Sequence, residues 1–197
     1  MSPASKEKGS GAIVFIRHGH DEPHGGHVFD ERLSSEGKAK CRQAAKDLVR
    51  KYGPPTIIYY SPFQRCRATL REFLRVVNSY HKLPDNHEVK IIVAPALGKY
   101  FTSEQRLAMK SQSFRRGALR KSTERIGSVL IDKNKRKFIK RVKKHVKKCR
   151  SDLKEKSEEG VVIWNICHAV VLRRAAKICH RKVDDHVEYL QHVKIKQ

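Results

Sequence analysis

The sequence predicts an α/β fold of three layers, in which a mostly parallel sheet carries helices on both faces. Two observations support this prediction. Short apolar runs rich in Val and Ile alternate along the chain with amphipathic helical patterns, as strands and crossover helices do in parallel α/β sheets. Most of these runs also lack polar alternation, which is typical of strands that are covered on both faces.

Five segments are the predicted strands. The first four are buried apolar runs, Ala12–Ile16, Thr56–Tyr60, Val89–Ala94 and Val161–Cys167. The last is an alternating strand near the end of the sequence, with one side formed by Val187, Tyr189, Val193 and Ile195. Its lysines suit an exposed sheet edge, because charged side chains there discourage pairing with another chain.

Two helical patterns precede the third strand. Ser34 is the predicted N-cap of the first helix, and the glycine and two prolines at 53–55 end it. Its inward positions are Cys41, Ala44, Ala45, Leu48 and Tyr52. For the second helix, Ser61 is the predicted cap and Pro62 the first helical residue. The stripe of this helix that faces the core is Leu70, Phe73, Leu74 and Val77.

Two further helical patterns flank the fourth strand. One is predicted from about Asn134 to Lys154, with an apolar stripe of Ile139, Val142, Val146, Cys149 and Leu153. The other follows His168 and turns Leu172, Ala175 and Ala176 toward the core. Residues 98–132 are polar and basic, and a segment of this length predicts a lid or an insertion over a site.

A chain of 197 residues is long enough for one domain with a substantial core. We predict a polar tail over residues 1–10 and a single domain over residues 11–197. The tail lacks the apolar stretch of a secretory signal peptide, and no apolar run is long enough to cross a bilayer. The expectation is therefore a soluble intracellular protein with no membrane span, located in the cytoplasm or in the nucleus.

The cysteines indicate a reducing environment. Five occur, at Cys41, Cys66, Cys149, Cys167 and Cys179. They are odd in number and include no C-x-x-C pair, so neither a disulfide framework nor a cysteine zinc site is indicated. Reduced and mostly buried thiols are expected.

The net charge of +24 arises from 44 Lys and Arg against 20 Asp and Glu. Such a field attracts anions, including phosphorylated substrates, nucleic acids and acidic membrane surfaces. Residues 133–148 hold ten Lys or Arg and no acid. This segment is either a solvated helix face, a surface for nucleic acid or another polyanion, or a nuclear-import signal. Few aromatic residues accompany the charges, which argues against stacking with single-stranded bases.

Basic side chains follow three of the predicted strands. Arg17 and His18 follow the first strand, Arg65 follows the second, and His168 follows the fourth. Ligands of open α/β sheets bind at the carboxyl ends of the strands, so we expect these side chains at one edge. Arginine makes bidentate hydrogen bonds to phosphate, and a neutral imidazole can attack phosphorus. A phosphate-handling site built on His18 is therefore predicted.

Four motifs occur in order between residues 12 and 178. Phe15–Gly19 reads F-I-R-H-G, Leu33–Gly37 reads L-S-S-E-G, and Ser61–Thr69 reads S-P-F-Q-R-C-R-A-T. The segment Phe138–Val142 and the strand before His168 complete the set. In order and spacing these motifs resemble those of the histidine phosphatase superfamily, the phosphoglycerate-mutase-like clan.

This resemblance implies a phosphoglycerate-mutase-like fold and a role for each site residue. His18 would be the nucleophile that becomes a phosphohistidine, and Arg17 and Arg65 would clamp the phosphoryl oxygens. His168 would stabilise charge that develops on the transferring group, and the backbone near Ala169 could add donors. No metal and no other cofactor is expected, because arginines and histidines already neutralise the phosphoryl charge.

The sequence departs from the family pattern after the third strand. Family members usually carry a glutamate there that protonates the leaving oxygen, whereas this chain has Gly98 or Lys99. A positioned general acid contributes about 10²- to 10⁴-fold. The acid could come from elsewhere, with Glu104 the first candidate and Asp21 the second. Otherwise the substrate needs no acid, or the site is only weakly active.

A zinc site is an alternative interpretation of the histidines around the first motif, His18, His20, His24 and His27. Their spacing does not match helix-borne zinc motifs, and the intervening proline and glycines predict a loop. Solvated loop histidines, with one or two lining the pocket, are the preferred interpretation.

The leading hypothesis is a metal-independent phosphatase that acts on a phosphomonoester or another phosphoryl group of an anionic substrate, through a phosphohistidine on His18. The alternative is a catalytically weak or inactive relative that binds phosphorylated ligands or nucleic acid. A mutase is disfavoured, since the glutamate is missing and Asp21 and Glu22 beside the nucleophile would repel a second phosphate.

Overall fold

The computed structural model describes residues 11–20, 33–80, 87–98, 116–155, 160–184 and 186–195, with residues 116–135 described by their backbone alone. Within these ranges the strands are β1 (Ala12–Arg17), β2 (Ile57–Tyr60), β3 (Lys90–Val93), β4 (Val162–Cys167) and β5 (His192–Ile195). The helices are α1 (Ser35–Tyr52), α2 (Gln64–Asn78), α3 (Arg116–Glu155) and α4 (Ala169–Ile178). One 3-10 turn, Pro95–Leu97, follows β3.

The strands form one sheet in the order β3-β2-β4-β1-β5. β1, β2, β3 and β4 are mutually parallel, and β5 pairs with β1 in the antiparallel direction. Helices cover both faces, so the predicted three-layer, mostly parallel α/β fold is confirmed. β5 lies at a sheet edge, as its lysines predict.

Alternate residues of the central strands fill two separate cores. On one face, residues such as Ile13, Phe15 and Ile163 pack with the buried stripes of α3 and α4. On the other, residues such as Val14 and Trp164 pack with those of α1 and α2. Burial on both faces explains the continuous apolar runs of β1 and β4, because neither face of these strands meets water.

The first helix confirms the capping predicted from its sequence. The Ser34 hydroxyl accepts a hydrogen bond from the N–H of Gly37 at 2.8 Å. At the other end, Gly53 has a φ of 89°, which a residue with a side chain rarely adopts, and its N–H closes the helix on the carbonyl of Val49.

The predicted start of α2 is wrong. Ser61 was the expected cap and Pro62 the first helical residue, but the helix begins at Gln64. The N–H of Ser61 instead donates to the carbonyl of Ile166 at 3.0 Å, which extends the ladder between β2 and β4 by one residue. The hydroxyl of Ser61 faces His168 and caps no helix end.

Two strand predictions also need correction. β3 was expected to be buried, yet it lies at a sheet edge and leaves Ile91 and Val93 45% and 48% exposed. The last strand was expected to include Val187 and Tyr189, but it begins at His192. Leu190 has a φ of 62°, and this left-handed conformation ends any extended run there.

Helix α3 begins well before the predicted position near Asn134. Its backbone is helical from Arg116, over 40 residues, and no proline in this stretch interrupts the hydrogen-bond ladder. The second half of the segment 98–132 is therefore helical. A lid function for that segment stays a prediction, because residues 99–115 lie outside the described ranges.

The structure also bears on the predictions for the cysteines, the N-terminal tail and membrane crossing. All five cysteines are free, four of them buried and Cys179 partly so, as predicted. The polar tail over residues 1–10 lies outside the described residues. In the described part of the chain, no helix combines the length and the apolar character that a bilayer crossing needs.

Candidate active site

The ring of His18 is buried at the carboxyl end of β1. Its backbone N–H donates to the carbonyl of Cys167 at 2.9 Å, and its ring Nδ1 lies 2.9 Å from the carbonyl oxygen of Gly19. Because a carbonyl only accepts, Nδ1 carries the proton in this contact, and the neutral ring keeps its lone pair on Nε2. The contact therefore orients the ring and leaves Nε2 as the nitrogen with a free lone pair.

His168 occupies the matching position at the end of the neighbouring strand, β4. The register pairs Arg17 with Cys167, so the two histidines leave adjacent parallel strands side by side. Their ring centroids are 5.1 Å apart, and His168 is fully buried. Helix α4 begins at Ala169, which brings its first backbone N–H groups to the same edge. Helix N-termini favour bound anions.

Two residues of the segment after β2 hold the His168 ring. The Ser61 hydroxyl lies 3.2 Å from Nε2 of His168, and the Phe63 ring meets the imidazole edge to face, with centroids 4.9 Å apart. The sequence placed Ser61 at a helix start, so its contact with the site residue was missed. The S-P motif could have indicated that Ser61 lies near the site, since the motif follows a strand that ends at the site edge.

Arg17 is held by groups from the loop between α4 and β5. Its guanidinium donates to the carbonyl of Val187 and lies over the ring of Tyr189, 3.9 Å from the centroid. Its Nε is buried and has no hydrogen-bond partner among the described residues. A buried donor of this kind is costly unless an acceptor meets it, so the Arg17 side chain is suited to receive an anion.

Arg65 lies in the first turn of α2 and is buried, with 4% of its surface exposed. Thr69, one turn later, connects this turn to the His18 loop. Its hydroxyl accepts from the N–H of Gly19 at 3.0 Å and donates to the carbonyl of Arg65 at 2.8 Å. Thr69 belongs to the motif recognised in the sequence, but only the structure shows what it contacts.

Gly19 can only be glycine in this packing. A Cβ added there would lie 2.4 Å from Sγ of Cys41 and 3.3 Å from a methyl group of Leu33. Burial raises the pKa of the Cys41 thiol to about 12, so the sulfur stays neutral and acts as a packing group. The missing side chain lets the loop after β1 lie directly on α1.

Tyr189 is a site residue that the sequence analysis missed, because it was assigned to a strand. Besides Arg17, its ring contacts the His18 ring, with centroids 5.7 Å apart, and the His20 ring, at 4.9 Å. Nδ1 of His20 in turn lies 3.1 Å from the hydroxyl of Ser34. Tyr189 thus contacts His18, His20 and Arg17, and through His20 it is linked to Ser34 at the start of α1.

A cleft of about 430 Å³ opens beside Tyr189. Its walls are Asp184, His186, Glu188, Tyr189, Leu190 and Gln191. The cleft shares Tyr189 with the His18 environment and carries two carboxylates. It is therefore suited to a neutral or cationic part of a ligand, while an anionic group would be drawn to the arginine and histidine side.

The sequence matches the profile of the histidine phosphatase superfamily, branch 1, over residues 13–193. The chain belongs to the histidine phosphatase superfamily. The match spans the strands and helices that position His18, Arg65 and His168. The family predicted from the four sequence motifs is therefore confirmed.

Solved structures of phosphatases share the fold of this family member. A mycobacterial glucosyl-3-phosphoglycerate phosphatase with VO3 is 14% identical, with a TM-score of 0.61 over 94% of this chain and 90% of that chain. The ecdysone phosphate phosphatase from Bombix mori, in complex with tungstate, is 15% identical, with a TM-score of 0.55 over 95% and 90%. The protein histidine phosphatase SixA, complexed with tungstate, is 16% identical, with a TM-score of 0.54 over 93% and 86%. No curated protein sequence matches the chain significantly.

Gly98, one of the two positions at which the family glutamate was expected, lies next to the site, and the other, Lys99, lies outside the described residues. A Cβ built on Gly98 would lie 3.4 Å from the Phe63 ring and 3.8 Å from the Ser61 hydroxyl, the two groups that contact His168. The substitute acids expected from the sequence, Glu104 first and Asp21 second, both lie outside the described residues.

The structure describes two of the four histidines considered as zinc ligands. His24 and His27 lie outside the described residues, whereas His18 and His20 make the contacts given above. Across the described ranges, no three His, Cys, Asp or Glu side chains are grouped as metal ligands.

Proposed function

We propose that this protein is a phosphatase that removes a phosphoryl group from an anionic substrate through a phosphohistidine on His18. The observation that carries the proposal is the pairing of His18 with His168. The two buried rings lie 5.1 Å apart at the ends of adjacent parallel strands, and the Gly19 carbonyl orients the first. Membership of the histidine phosphatase superfamily supports phosphatase activity in general.

In the first step, the Nε2 lone pair of His18 attacks phosphorus, and the bond from phosphorus to the leaving oxygen breaks. Nδ1 keeps its proton, which stays hydrogen-bonded to the Gly19 carbonyl, so the ring can take up positive charge without losing its orientation. Arg17 and Arg65 bind the phosphoryl oxygens, and His168 donates to the same group as negative charge builds up. These are the roles that the family resemblance implies for the four residues.

In the second step, water attacks the phosphohistidine, the bond from phosphorus to Nε2 breaks, and inorganic phosphate leaves. His18 thereby returns to its neutral form. No metal takes part in this scheme, because Arg17 and Arg65 supply positive charge and His168 donates a hydrogen bond to the phosphoryl group. Activity that survives EDTA would be the expected result, and activity that needs an added divalent cation would contradict it.

The proposed substrate class rests on the net charge of the chain and on the residues of the cleft. The excess of Lys and Arg draws in phosphorylated molecules such as phosphoproteins, nucleotides or polyphosphorylated small molecules. The carboxylates of Asp184 and Glu188 line the cleft beside Tyr189, so a neutral or cationic part next to the phosphoryl group would fit there.

The proposal is tested by incubating the protein with an aryl phosphate and quenching the reaction in alkali and in acid. Phosphate release is expected, with a phosphoenzyme that survives alkali and is lost in acid. His18→Ala should abolish both signals. His180→Asn is the matched control, because His180 is exposed and follows the C-terminal end of α4, whose N-terminal end is the one at the site. Asparagine tolerates the positive φ of 52° at this position. The absence of turnover together with the absence of a phosphoenzyme would overturn the proposal.

The acid for the leaving group is tested by comparing an aryl phosphate with an alkyl phosphate. If Glu104 is the acid, Glu104→Gln should slow the alkyl ester by about 10²- to 10⁴-fold and the aryl ester far less, since aryl oxides leave without a proton. Asp21→Asn tests the second candidate in the same way. Equal losses on both esters would exclude the altered residue as the acid.

A second candidate function is phospho-ligand binding without turnover. The observation that favours it is Gly98, which places no carboxylate beside Ser61 and Phe63. This candidate predicts that the protein binds vanadate or phosphate and hydrolyses no ester. Arg65→Ala should abolish that binding. Turnover that depends on His18 would exclude it.

A further inference from the structure

The outward side of α3 is a continuous positive surface. Its members are Arg136, Lys137, Lys140, Lys143, Lys144 and Lys147, and all six are exposed. At about 100° per residue they fall within an arc of about 120°, opposite the stripe that α3 buries, and they extend over about 17 Å of the helix. We call this set the α3 basic face.

The charges of the α3 basic face are not neutralised by the described part of the protein. None of its six side chains forms an ion pair with a described residue. The first acid after the set along the helix is Asp152, which pairs with Lys148 at 3.5 Å, outside the set. On the other side of the sheet, Lys40, Arg42 and Arg50 pair with acids, whereas the exposed Lys38, Lys46 and Arg71 do not. The α3 basic face is thus a row of six positive side chains that no described acid neutralises.

The side chains of the α3 basic face indicate which class of partner it can bind. No aromatic and no large apolar side chain is exposed between residues 136 and 155, so the helix offers neither stacking platforms for single-stranded bases nor an apolar surface to insert between lipids. A rigid row of ammonium and guanidinium groups instead matches the regularly spaced phosphates of a double helix. Exposed Arg173 and Lys177 on α4, which packs beside α3, extend the charge.

We propose that the α3 basic face binds the phosphate backbone of duplex nucleic acid, without reading its sequence. Each phosphate contact releases condensed counterions from the duplex, so affinity depends steeply on salt. With six contacts the association constant should fall about 10³-fold between 50 and 200 mM salt. The binding is independent of phosphoryl transfer at His18 and would hold even if the protein hydrolyses nothing.

The test is fluorescence anisotropy of a labelled 20-base-pair DNA duplex, titrated with the full chain at several salt concentrations. The triple variant Lys140→Gln/Lys143→Gln/Lys147→Gln removes three charges from the centre of the face. It should reduce the slope of log K against log salt by about 3, which leaves about 40-fold weakening over the same salt range. His18→Ala should bind like the unaltered protein.

The matched control is Lys38→Gln/Lys46→Gln/Arg71→Gln. It also removes three exposed charges that pair with no described residue, but from α1 and α2 on the other side of the sheet. It should keep most of the salt slope. Circular dichroism shows whether both variants remain folded.

Several outcomes would overturn the proposal. Equal effects of the two triple variants would assign the binding to net charge and not to this face. Tighter binding of the single strand than of the duplex, or binding of phosphatidylserine vesicles but not of DNA, would point to a different partner. A slope near zero would exclude contact with the phosphate backbone.

Discussion

Thr69 and Gly19 lie fifty positions apart, yet the Thr69 hydroxyl accepts a hydrogen bond from the Gly19 N–H at 3.0 Å. The same hydroxyl donates to the Arg65 carbonyl at 2.8 Å. One side chain therefore sets the distance between the loop of the proposed nucleophile and the turn that carries a proposed phosphate ligand. Neither α2 nor the His18 loop could shift without breaking one of these bonds.

Replacing Thr69 by Val should damage both stability and activity. The buried N–H of Gly19 would lose its acceptor, which costs about 1–3 kcal/mol of unfolding free energy. We expect kcat/KM for an aryl phosphate to fall as well, because His18 and Arg65 would no longer be held in register. Urea unfolding and steady-state kinetics measure the two effects. Thr69→Ser keeps the hydroxyl and should restore most of both; an inactive serine variant of normal stability would contradict this role.

Tyr189 is expected to act as a positioning residue for Arg17. Its ring lies 3.9 Å from the Arg17 guanidinium, and such contacts contribute about 0.5–2 kcal/mol depending on how far water is excluded. Tyr189→Leu should therefore lower kcat/KM by about 2- to 30-fold. Tyr189→Phe keeps the ring and should behave like the unaltered protein. Equal losses in the two variants would mean that the hydroxyl, and not the ring, is what matters.

Glu72 should contribute to the stability of the α1–α2 layer. Its carboxylate is buried, with 7% of the side chain exposed, and it binds Arg42 at 2.6 Å and Arg75 at 3.0 Å. Because it joins two helices, Glu72→Gln should lower the unfolding free energy by about 1–3 kcal/mol. Asp47→Asn is the control, since the Asp47–Arg50 pair is exposed at 3.5 Å and should contribute about 0–1 kcal/mol. Equal losses in urea unfolding would contradict the prediction.

His145 should make the protein less stable at acid pH. Burial lowers the pKa of its ring from the ordinary 6.5, while Nε2 donates to the Asn165 side-chain oxygen at 2.8 Å. Below about pH 6.5 the unfolded chain binds a proton that the folded protein excludes, so the unfolding free energy falls by up to about 1.4 kcal/mol per pH unit. Above that pH both states are neutral and His145 adds no pH dependence.

The contribution of His145 is isolated by His145→Gln, which keeps an N–H donor but cannot gain a charge in this range. Urea unfolding measured between pH 5 and pH 7.5 should show a shallower loss of stability toward acid in this variant than in the unaltered protein. His186→Gln removes an exposed histidine and should leave the profile unchanged. Parallel profiles for all three proteins would exclude His145 as the source.

Local patterns in the sequence were sufficient to predict most of the strands and helices. The apolar runs predicted β1 and β4 within a residue, because those strands are buried on both faces and their composition reflects it. The apolar run wrongly predicted that β3 is buried, because Ile91 and Val93 are apolar but lie at a sheet edge. Whether an apolar strand is central or peripheral depends on the order of strands, which the residues of that strand do not encode.

For the candidate site, too, some residues could be predicted from the sequence and others could not. His18, Arg17, Arg65 and His168 could be named from the sequence, since each follows a strand in a recognisable motif. Tyr189 could not, because its place beside Arg17 depends on the left-handed turn at Leu190, a conformation that the apolar alternation around it conceals. Contacts of this kind join segments that are far apart in the chain, and local propensity carries no information about them.

By itself, the sequence therefore determined the fold class, the family and the basic residues at the strand ends, because periodicity and motif spacing are local properties. Only the tertiary structure decided which side chains meet. It placed the His18 and His168 rings 5.1 Å apart and brought Gly98 beside Ser61 and Phe63. Distances across a sheet depend on strand order and register, which result from the packing of the whole chain.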